Sequence, residues 1–474
     1  MKQKLFASLI VIALTIISCG QKEEYIPENN NQGIPFTATV TTENIVSKTA
    51  TDNGTSIETH WAKDETFALI YTVGATPYNT TATITNVDGS GTATISATLQ
   101  AGVTDGTSVV VVYPSTAVSG TSAEILSSVI STQNGALSAA RDIRKGNGTI
   151  KVDGGGATLA DGAILTPEYA ICKFEIEDVD GSNSLSVSSL VIKDASDNVI
   201  TTVTPGTPTS TLYVTLPAST GLMWFEAVVS GANYVAKGTA SLDAGYYYQP
   251  TVRMATIYNV IGANGKFYKD KSDAVAASTL AAAVIAYLGS ETAETGYSHG
   301  LAFALKTAGG STTKWKKEAG LANTYQYTDY ATALAAKESG SALCVGKDDA
   351  DNYPGFYRAL HNDFTPDSGT TNAKPSSGTS DWFLPSIFQL SQMIYGLCND
   401  DSGLTNLPQD KYLVTRPKDK FQSAGGTWYS ILGIKLMSSS EINADSYWTY
   451  NGGGSIDNGT KNASSSYPRA ALAF

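Results

Sequence analysis

The sequence is short of charge, of histidine and of cysteine, and each shortage narrows what the chain can be. Only 16% of its 474 residues are charged, and the formal net charge is −12. Binding to nucleic acid requires a basic surface, so nucleic acid is excluded as a partner. The four cysteines show no metal-ligand spacing, which excludes zinc modules. Beyond the N-terminus no apolar run reaches about 18 residues, so no transmembrane helix is expected.

Catalytic signals are equally scarce. Only His60, His299 and His361 carry an imidazole, and no Gly-x-Ser-x-Gly, His-Glu-x-x-His or Walker motif is present. We therefore predict no catalytic residue and no enzyme activity, with a two-carboxylate glycosidase as an alternative. The acidic pairs Asp348-Asp349 and Asp400-Asp401 have the oxygen ligands that calcium prefers, but solvated acidic loops are the simpler interpretation. We predict no metal and no cofactor, with calcium left open.

The N-terminus has the pattern of a targeting segment. Lys2 and Lys4 precede an apolar run of residues 5–17, as in a secretory signal. Ser18 and Cys19 then match the lipobox of bacterial lipoproteins, so residues 1–19 are the predicted signal peptide and Cys19 the lipidated residue. Residues 21–24 resemble a short acidic signal for export of lipoproteins to the outer face of the outer membrane. We expect a lipid-anchored protein at the cell surface; a secreted protein with a chance cysteine is the alternative.

The remaining cysteines lie far apart in the sequence. Cys172 stands in an alternating apolar stretch and is predicted to be a buried free thiol. Cys344 and Cys398 both fall in the C-terminal part, in a compartment whose redox conditions permit a disulfide. Either these two form a bridge or both are buried thiols.

Short runs with the composition of strands, some alternating and some apolar throughout, dominate the chain up to about residue 258. Runs such as residues 36–40, 67–73, 109–113 and 169–176 are separated by turn signals, which favours β-sandwiches. The length suggests about three domains. We predict a mainly β protein.

The order of motifs in this part resembles the fimbrillin family, the subunits of type V pili, whose precursors are surface lipoproteins. After the lipoprotein signal come "SKT" (47–49), "HWAKDETFALIY" (60–71), "VVVVYPS" (109–115) and "QNGALSAARDI" (133–143). The resemblance covers residues 1–258 and implies two tandem transthyretin-like β-sandwiches. After a tether of residues 20–35, these would be residues 36–168 and 169–257.

The resemblance also implies assembly by strand exchange. In fimbrillins a protease removes the first strand of the precursor, and a strand from a neighbouring subunit fills the groove, a form of β-augmentation. Here the removed strand would be residues 36–40, with cleavage after Lys48 and a new start at Thr49. A lysine stands where the family often has arginine. Other fimbrial subunits are the implied partners.

The C-terminal part resembles the C-type-lectin-like domains at the end of bacterial cell-surface proteins. Ser386 can cap a helix with Gln389 as its capping-box partner. The order "DWFLPS" (381–386), "YWT" (447–449) and "RAALAF" (469–474) carries the resemblance, which covers residues 258–474. It implies an α+β domain with a closing apolar strand. Two more helices are predicted, at 272–289 and 328–339.

If this domain has a ligand surface, its aromatic loop residues are the candidates. Trp428, Tyr429 and Tyr450 lie among Gly, Ser and Asn and are predicted to stack on sugars or protein partners. The alternative places Trp428 and Tyr429 in the core. The sugar- and calcium-binding tripeptides of C-type lectins are missing.

Together these features predict a structural and adhesive subunit of a cell-surface fimbria. Because the last strand should be buried in its own domain, the chain would accept a donor strand but not supply one, as a tip or accessory pilin does. It would bind a host or bacterial surface glycan or protein. The alternative is a stand-alone, lipid-anchored carbohydrate-binding protein that does not polymerise.

Overall fold

The computed structural model describes residues 33–42, 51–52, 57–58, 61–88, 91–137, 142–318, 327–399, 416–426, 435–451 and 455–474. Strands dominate these residues, so the prediction of a mainly β chain is confirmed. No helix among them is long and apolar enough to cross a membrane. The strands fall into three consecutive regions, each with its own sheets.

The first region forms an eight-stranded sheet that closes on itself. The strands of this part of the chain are β1 (Ile34–Thr42), β2 (Thr51–Asp52), β3 (Ile57–Glu58), β4 (Thr66–Val73), β5 (Thr76–Val87), β6 (Thr92–Leu99), β7 (Thr107–Tyr113), β8 (Thr132–Gln133), β9 (Arg144–Asp153), β10 (Gly156–Leu159) and β11 (Ala163–Pro167), with a helical turn, α1 (Ser128–Ser131), before β8. Strands β2 and β3 pair only with each other, and β8 joins a sheet of the second region. The order is β10-β1-β11-β9-β7-β4-β5-β6, and a further pairing joins β1 to β6. Strand β1 therefore closes the ring.

The second region is a sandwich of two sheets. Its strands are β12 (Tyr169–Asp178), β13 (Ser189–Lys193), β14 (Val199–Val203), β15 (Thr211–Pro217), β16 (Ser219–Val229), β17 (Ala232–Leu242), β18 (Tyr247–Tyr248) and β19 (Thr251–Met254). One sheet has the order β15-β12-β18 with β19 also on β12, and the other has the order β17-β16-β13-β14-β8. Residues such as Phe174, Leu212 and Phe225 fill the space between them. The transthyretin-like arrangement of the two regions stays a prediction.

Strand β8 belongs to the second region although it precedes it in the chain. The Gln133 amide donates to the Thr201 hydroxyl at 3.1 Å and to the Thr215 carbonyl at 2.8 Å. These bonds satisfy a buried polar side chain, which would otherwise be costly. The predicted division between residues 168 and 169 therefore assigns β8 to the first region, whereas its pairing places it in the second.

The third region mixes helices with two sheets. Its strands are β20 (Val260–Gly262), β21 (Phe267–Tyr268), β22 (Ala281–Leu288), β23 (Gly300–Ala304), β24 (Lys435–Glu441), β25 (Ser446–Asn451), β26 (Ser455–Thr460) and β27 (Ala471–Ala473). Its helices are α2 (Lys271–Ala276), α3 (Tyr330–Ala335), α4 (Gly340–Cys344), α5 (Pro354–Leu360), α6 (Ile387–Asn399) and α7 (Arg416–Ser423). The sheets have the orders β21-β20-β22-β23-β27 and β24-β25-β26. The presence of both helices and strands agrees with the predicted α+β domain. The C-type-lectin-like arrangement of these elements stays a prediction.

The capping box predicted for α6 is present. The Gln389 backbone N–H donates to Ser386 Oγ at 3.2 Å, and the Ser386 N–H donates to Gln389 Oε1 at 3.0 Å. Each side chain thus satisfies a backbone donor that the first helical turn leaves without a partner. The helix then buries Leu390, Met393 and Ile394 against the core.

The helix predicted for residues 272–289 is wrong beyond Ala276. Helix α2 ends there, Ser278 has a φ of 59°, and Ala281–Leu288 form strand β22. This strand lies between β20 and β23 and is buried on both faces, so its sequence does not alternate. A short apolar run of this kind cannot be told from a buried helix by periodicity.

The third region buries an ion pair in its core. Lys461 Nζ lies 2.8 Å from Glu441 Oε2, with side-chain exposures of 0% and 3%. The ammonium also donates to the Asn443 carbonyl at 2.7 Å and lies 4.8 Å from the centre of the Trp315 ring. The two charges are costly to bury, and removing Lys461 takes away one of the cations that stabilise Glu441, beside Lys316 and Lys347.

We expect Lys461→Met to lower the free energy of unfolding by about 3–5 kcal/mol, because the buried Glu441 then loses the ammonium that lies 2.8 Å from its carboxylate. Adding Glu441→Leu should recover part of that loss. Urea denaturation gives both values. Lys374, paired with Asp381 at 2.5 Å on the surface, is the control, and Lys374→Met should cost less than about 1 kcal/mol. An equal loss in Lys461→Met and Lys374→Met would contradict the expectation.

The second and third regions share a core at their seam. Trp224, Val235 and Ala255 pack with the core of the third region. Lys237 lies in the same seam, with its Nζ 5.3 Å from the Trp224 ring and 5.2 Å from the Phe267 ring. Its ammonium is buried and has no hydrogen-bond partner among the described residues. Burial lowers the pKa of Lys237 to about 8.

Because the pKa of Lys237 is lower in the folded chain than in the unfolded chain, unfolding takes up a proton between about pH 8 and pH 10.4. Stability therefore rises with pH in that window. We expect Lys237→Met to stabilise the chain at pH 7 by on the order of 1 kcal/mol and to flatten this pH dependence. Urea denaturation at pH 7 and pH 10 measures both effects. The exposed Lys151 is the control, and Lys151→Met should neither stabilise the chain at pH 7 nor flatten the pH dependence. Equal behaviour of the two variants would show that the buried ammonium of Lys237 is not the cause.

Candidate functional site

The first strand fills the core of the first region with every second side chain. Phe36, Ala38 and Val40 are 1%, 3% and 0% exposed, whereas Thr37 and Thr39 between them face solvent. This alternation follows from the two-residue period of a strand. The inward side chains pack in one cluster with residues from strands around the ring, including Leu69, Ile95, Val111, Ile150 and Leu165.

Strand β1 is also paired along both of its edges. On one side it runs antiparallel to β6, from Ile34 opposite Leu99 to Thr41 opposite Thr92. On the other side it runs parallel to β10 and β11, with Val40 opposite Ala163. Removing β1 would leave two unpaired edges and an apolar groove between them. Such a groove can accept another extended strand with alternating apolar residues.

The last strand is held in its own region. Strand β27 pairs with β23, with Leu301 opposite Ala473, and Phe383 bridges to Ala471 on the other side. The Phe474 carbonyl accepts from the backbone N–H groups of His299 at 2.8 Å and Gly300 at 3.0 Å. All three residues of β27 are fully buried. This stretch is therefore committed to the core of the third region.

Several predicted site residues lie outside the described residues. They are the lipidation site Cys19, the processing site Lys48 and Thr49, the aromatic residues Trp428 and Tyr429, and the acidic pair Asp400-Asp401. Their roles stay predictions.

The predicted ligand-binding role of Tyr450 is wrong. It lies on β25 opposite Leu436 and Ile456 and is 3% exposed, within the core of the third region. A ring enclosed in this way has no face for a sugar or a protein partner to stack on. Trp382, Leu384 and Tyr447 are buried in the same core, and the half-buried Trp448 packs against it.

The cysteines that the structure describes are buried free thiols. Cys172 lies in the core of the sandwich, where burial raises the pKa of its thiol to about 12. Cys344 accepts from the Leu384 N–H at 3.4 Å, close to the N-terminal end of α6. Cys398 is near the other end of that helix, about 16 Å beyond Ile387 at 1.5 Å per residue. This placement disfavours a bridge between Cys344 and Cys398, which was one of the two alternatives; the side chain of Cys398 itself lies outside the described residues.

The other acidic pair contacts its own loop and the C-terminal end of α5. Asp348 contacts His361 Nε2 at 2.8 Å. Asp349 accepts from the backbone N–H groups of Asp351 and Asn352, and the bonds from Asn352 hold its pKa below the usual range. These contacts favour the interpretation as a solvated acidic loop.

Sequence analysis missed a group of charged residues at the seam. The seam cluster consists of Lys193, Asp197, Glu226 and His299, with the first three from the second region and the histidine from the third. It borders a cleft of about 650 Å³ between the two regions. The residues are up to about a hundred positions apart and form no motif, so the only signal was the scarcity of histidine.

Comparison with known proteins gave structural matches alone. No family model and no curated protein matches the chain. A fimbrial protein from Bacteroides ovatus ATCC 8483 has 15% identity and a TM-score of 0.28, over 94% of this chain and 100% of that one. A candidate cell adhesion protein from Bacteroides fragilis NCTC 9343 has 11% identity and a TM-score of 0.31, over 47% of this chain and 96% of that one. A fimbrial assembly protein from Parabacteroides distasonis ATCC 8503 has 12% identity and a TM-score of 0.27, over 46% of this chain and 90% of that one. At these identities and TM-scores the matches carry no argument about this chain's family or function.

We expect Phe36→Ala to destabilise the first region by about 3–5 kcal/mol, because it leaves a cavity under β1. Hydrogen exchange of the β6 amides, residues 92–99, reports this loss locally. Thr39→Ala changes the same strand on its exposed face and should shift the exchange free energy by less than about 0.5 kcal/mol. Similar exchange in the two variants would show that β1 does not support the ring.

Proposed function

We propose that the chain is a structural and adhesive subunit of a cell-surface fimbria, assembled by β-strand exchange. The observation that carries the proposal is the position of β1. It is the first described strand, it closes the ring through both edges, and its end at Thr42 lies just before the predicted cleavage at Lys48.

The energetics of β1 suit an exchangeable strand. Its loss would expose the pockets of Phe36 and Val40, and burying side chains of this size contributes about 1.5–3 kcal/mol each. It would also leave backbone groups of β6 and β11 without partners. A donor strand with apolar residues at every second position fills these pockets and pairs these backbone groups again. The processed chain therefore has a strong drive to bind another subunit.

The committed last strand supports a place at the end of a polymer. Residues 471–473 are buried between β23 and Phe383, and releasing them would open the core of the third region. They are thus poorly suited to complement a neighbour. A subunit that accepts a strand without supplying this one fits a tip or accessory pilin.

The remaining parts of the proposal concern location and adhesion. Lipidation of Cys19 would anchor the precursor in the outer membrane and hold it at the cell surface before processing. The third region would then present its loops, including Trp428 and Tyr429, to a surface glycan or protein. No catalytic role is part of the proposal.

A stand-alone, lipid-anchored carbohydrate-binding protein is the second candidate. The observation in its favour is that β1 is fully packed and paired, so the unprocessed chain is a stable fold. In this case β1 stays in place and the chain does not polymerise.

The N-terminus of the protein in isolated surface fimbriae distinguishes the two. Mass spectrometry should find the chain there, beginning at Thr49. Lys48→Ala should abolish that form, because processing proteases select the residue before the cut. Lys63→Ala, at an exposed turn lysine, is the control and should leave processing intact. If the chain occurs only in the outer membrane, beginning at lipidated Cys19, strand exchange is wrong and the stand-alone protein is the better account.

A further inference from the structure

The seam cluster places one histidine of the third region between two carboxylates of the second. His299 precedes β23, Glu226 lies on β16, and Asp197 lies in the turn between β13 and β14. His299 Nδ1 is 2.7 Å from Glu226 Oε1, and its Nε2 is 3.8 Å from Asp197 Oδ1. The Trp224 ring stacks on the imidazole, with 3.7 Å between ring centres. The imidazole is therefore held in place and only 5% exposed.

The contact with Glu226 fixes the tautomer of His299. A carboxylate only accepts hydrogen bonds, so Nδ1 carries the proton that Glu226 receives at 2.7 Å. In the neutral imidazole, Nε2 then has the lone pair that a metal ion requires. This nitrogen has no hydrogen bond within the part of the chain that the structure describes, and its distance to Asp197, 3.8 Å, is too long for one. His299 lines the bordering cleft, so an ion that enters the cleft can reach this nitrogen.

We propose that His299 Nε2 and Asp197 bind a divalent transition-metal ion of the zinc class, which links the second and third regions. A carboxylate that accepts from the far nitrogen of a ligating imidazole is the usual support of such a ligand, and Glu226 stands in that position. The three residues offer ligand atoms that all lie within 4.8 Å of one another.

The distance between Nε2 and Asp197 Oδ1 suits an ion between them. Zinc lies about 2.0–2.1 Å from nitrogen and about 2.0–2.2 Å from oxygen, so two ligand atoms on one ion are at most about 4.3 Å apart. The observed 3.8 Å falls within that limit without backbone movement. The bordering cleft of about 650 Å³ has room for water molecules that complete the coordination.

The charges of the cluster also favour a cation. Two carboxylates face one ammonium, that of Lys193, which lies 2.8 Å from Glu226 and 3.0 Å from Asp197. Lys193 competes with the ion, because zinc must displace its ammonium from Asp197.

The ligand set separates zinc from calcium and magnesium. An imidazole nitrogen suits zinc, whereas calcium and magnesium prefer oxygen ligands. The site also differs from the pair His361 and Asp348, whose side chains are 49% and 61% exposed.

The test is competition for Zn²⁺ between the metal-free, full-length purified chain and a chromophoric zinc indicator. We expect one equivalent to bind. Asp197→Asn should abolish binding while preserving the turn, since Asn also adopts the φ of 66° found at Asp197. Glu226→Gln should weaken binding about 10–100-fold. Lys193→Met should strengthen it, a gain that a damaged fold would not produce.

His361→Ala is the control and should leave zinc binding unchanged. Mg²⁺ or Ca²⁺ at the same concentration should not raise the melting temperature, whereas Zn²⁺ should raise it for the unaltered chain and for Lys193→Met. The proposal is overturned if the unaltered chain and Lys193→Met bind zinc no more tightly than Asp197→Asn. It is equally overturned if His361→Ala removes the binding, since zinc then occupies the exposed pair.

Discussion

The need to pair every strand edge governs the first region. Strand β1 supplies partners to β6 on one side and to β10 and β11 on the other, and the same residues fill the core through Phe36, Ala38 and Val40. Backbone pairing and apolar packing therefore depend on one short segment near the start of the chain. A fold of this kind is complete with its own first strand or with an equivalent strand from elsewhere, because neither the hydrogen bonds nor the pockets record which chain the strand belongs to.

Features that depend on neighbouring residues could be predicted from the sequence. The alternation of residues 36–40 gave the inward face of β1, because the side-chain period of a strand is a local property. Ser386 and Gln389 gave the start of α6 for the same reason, since a capping box satisfies backbone groups within one turn. Both features were found where the sequence placed them.

Features that depend on residues far apart in the chain could not be predicted from the sequence. Residues 281–288 form a strand because β20 and β23 cover both of its edges, and their own sequence fits a buried helix equally well. Tyr450 stands among Gly and Asn, as a binding residue would, yet its pairing with Leu436 and Ile456 takes it into the core. The seam cluster joins residues from two regions, and no sequence motif predicts that they meet.

The ring of the first region and the seam between the second and third regions differ in how completely their polar groups are paired. At the ring, apolar side chains and backbone pairs are fully matched once a strand is present. At the seam, Lys237 is buried without a hydrogen-bond partner among the described residues, and two carboxylates of the seam cluster share one ammonium. An interface held only for stability would replace such groups with apolar ones, since unmatched polar groups weaken it. These groups lie where the second region meets the third, which is where the proposed cation would bind.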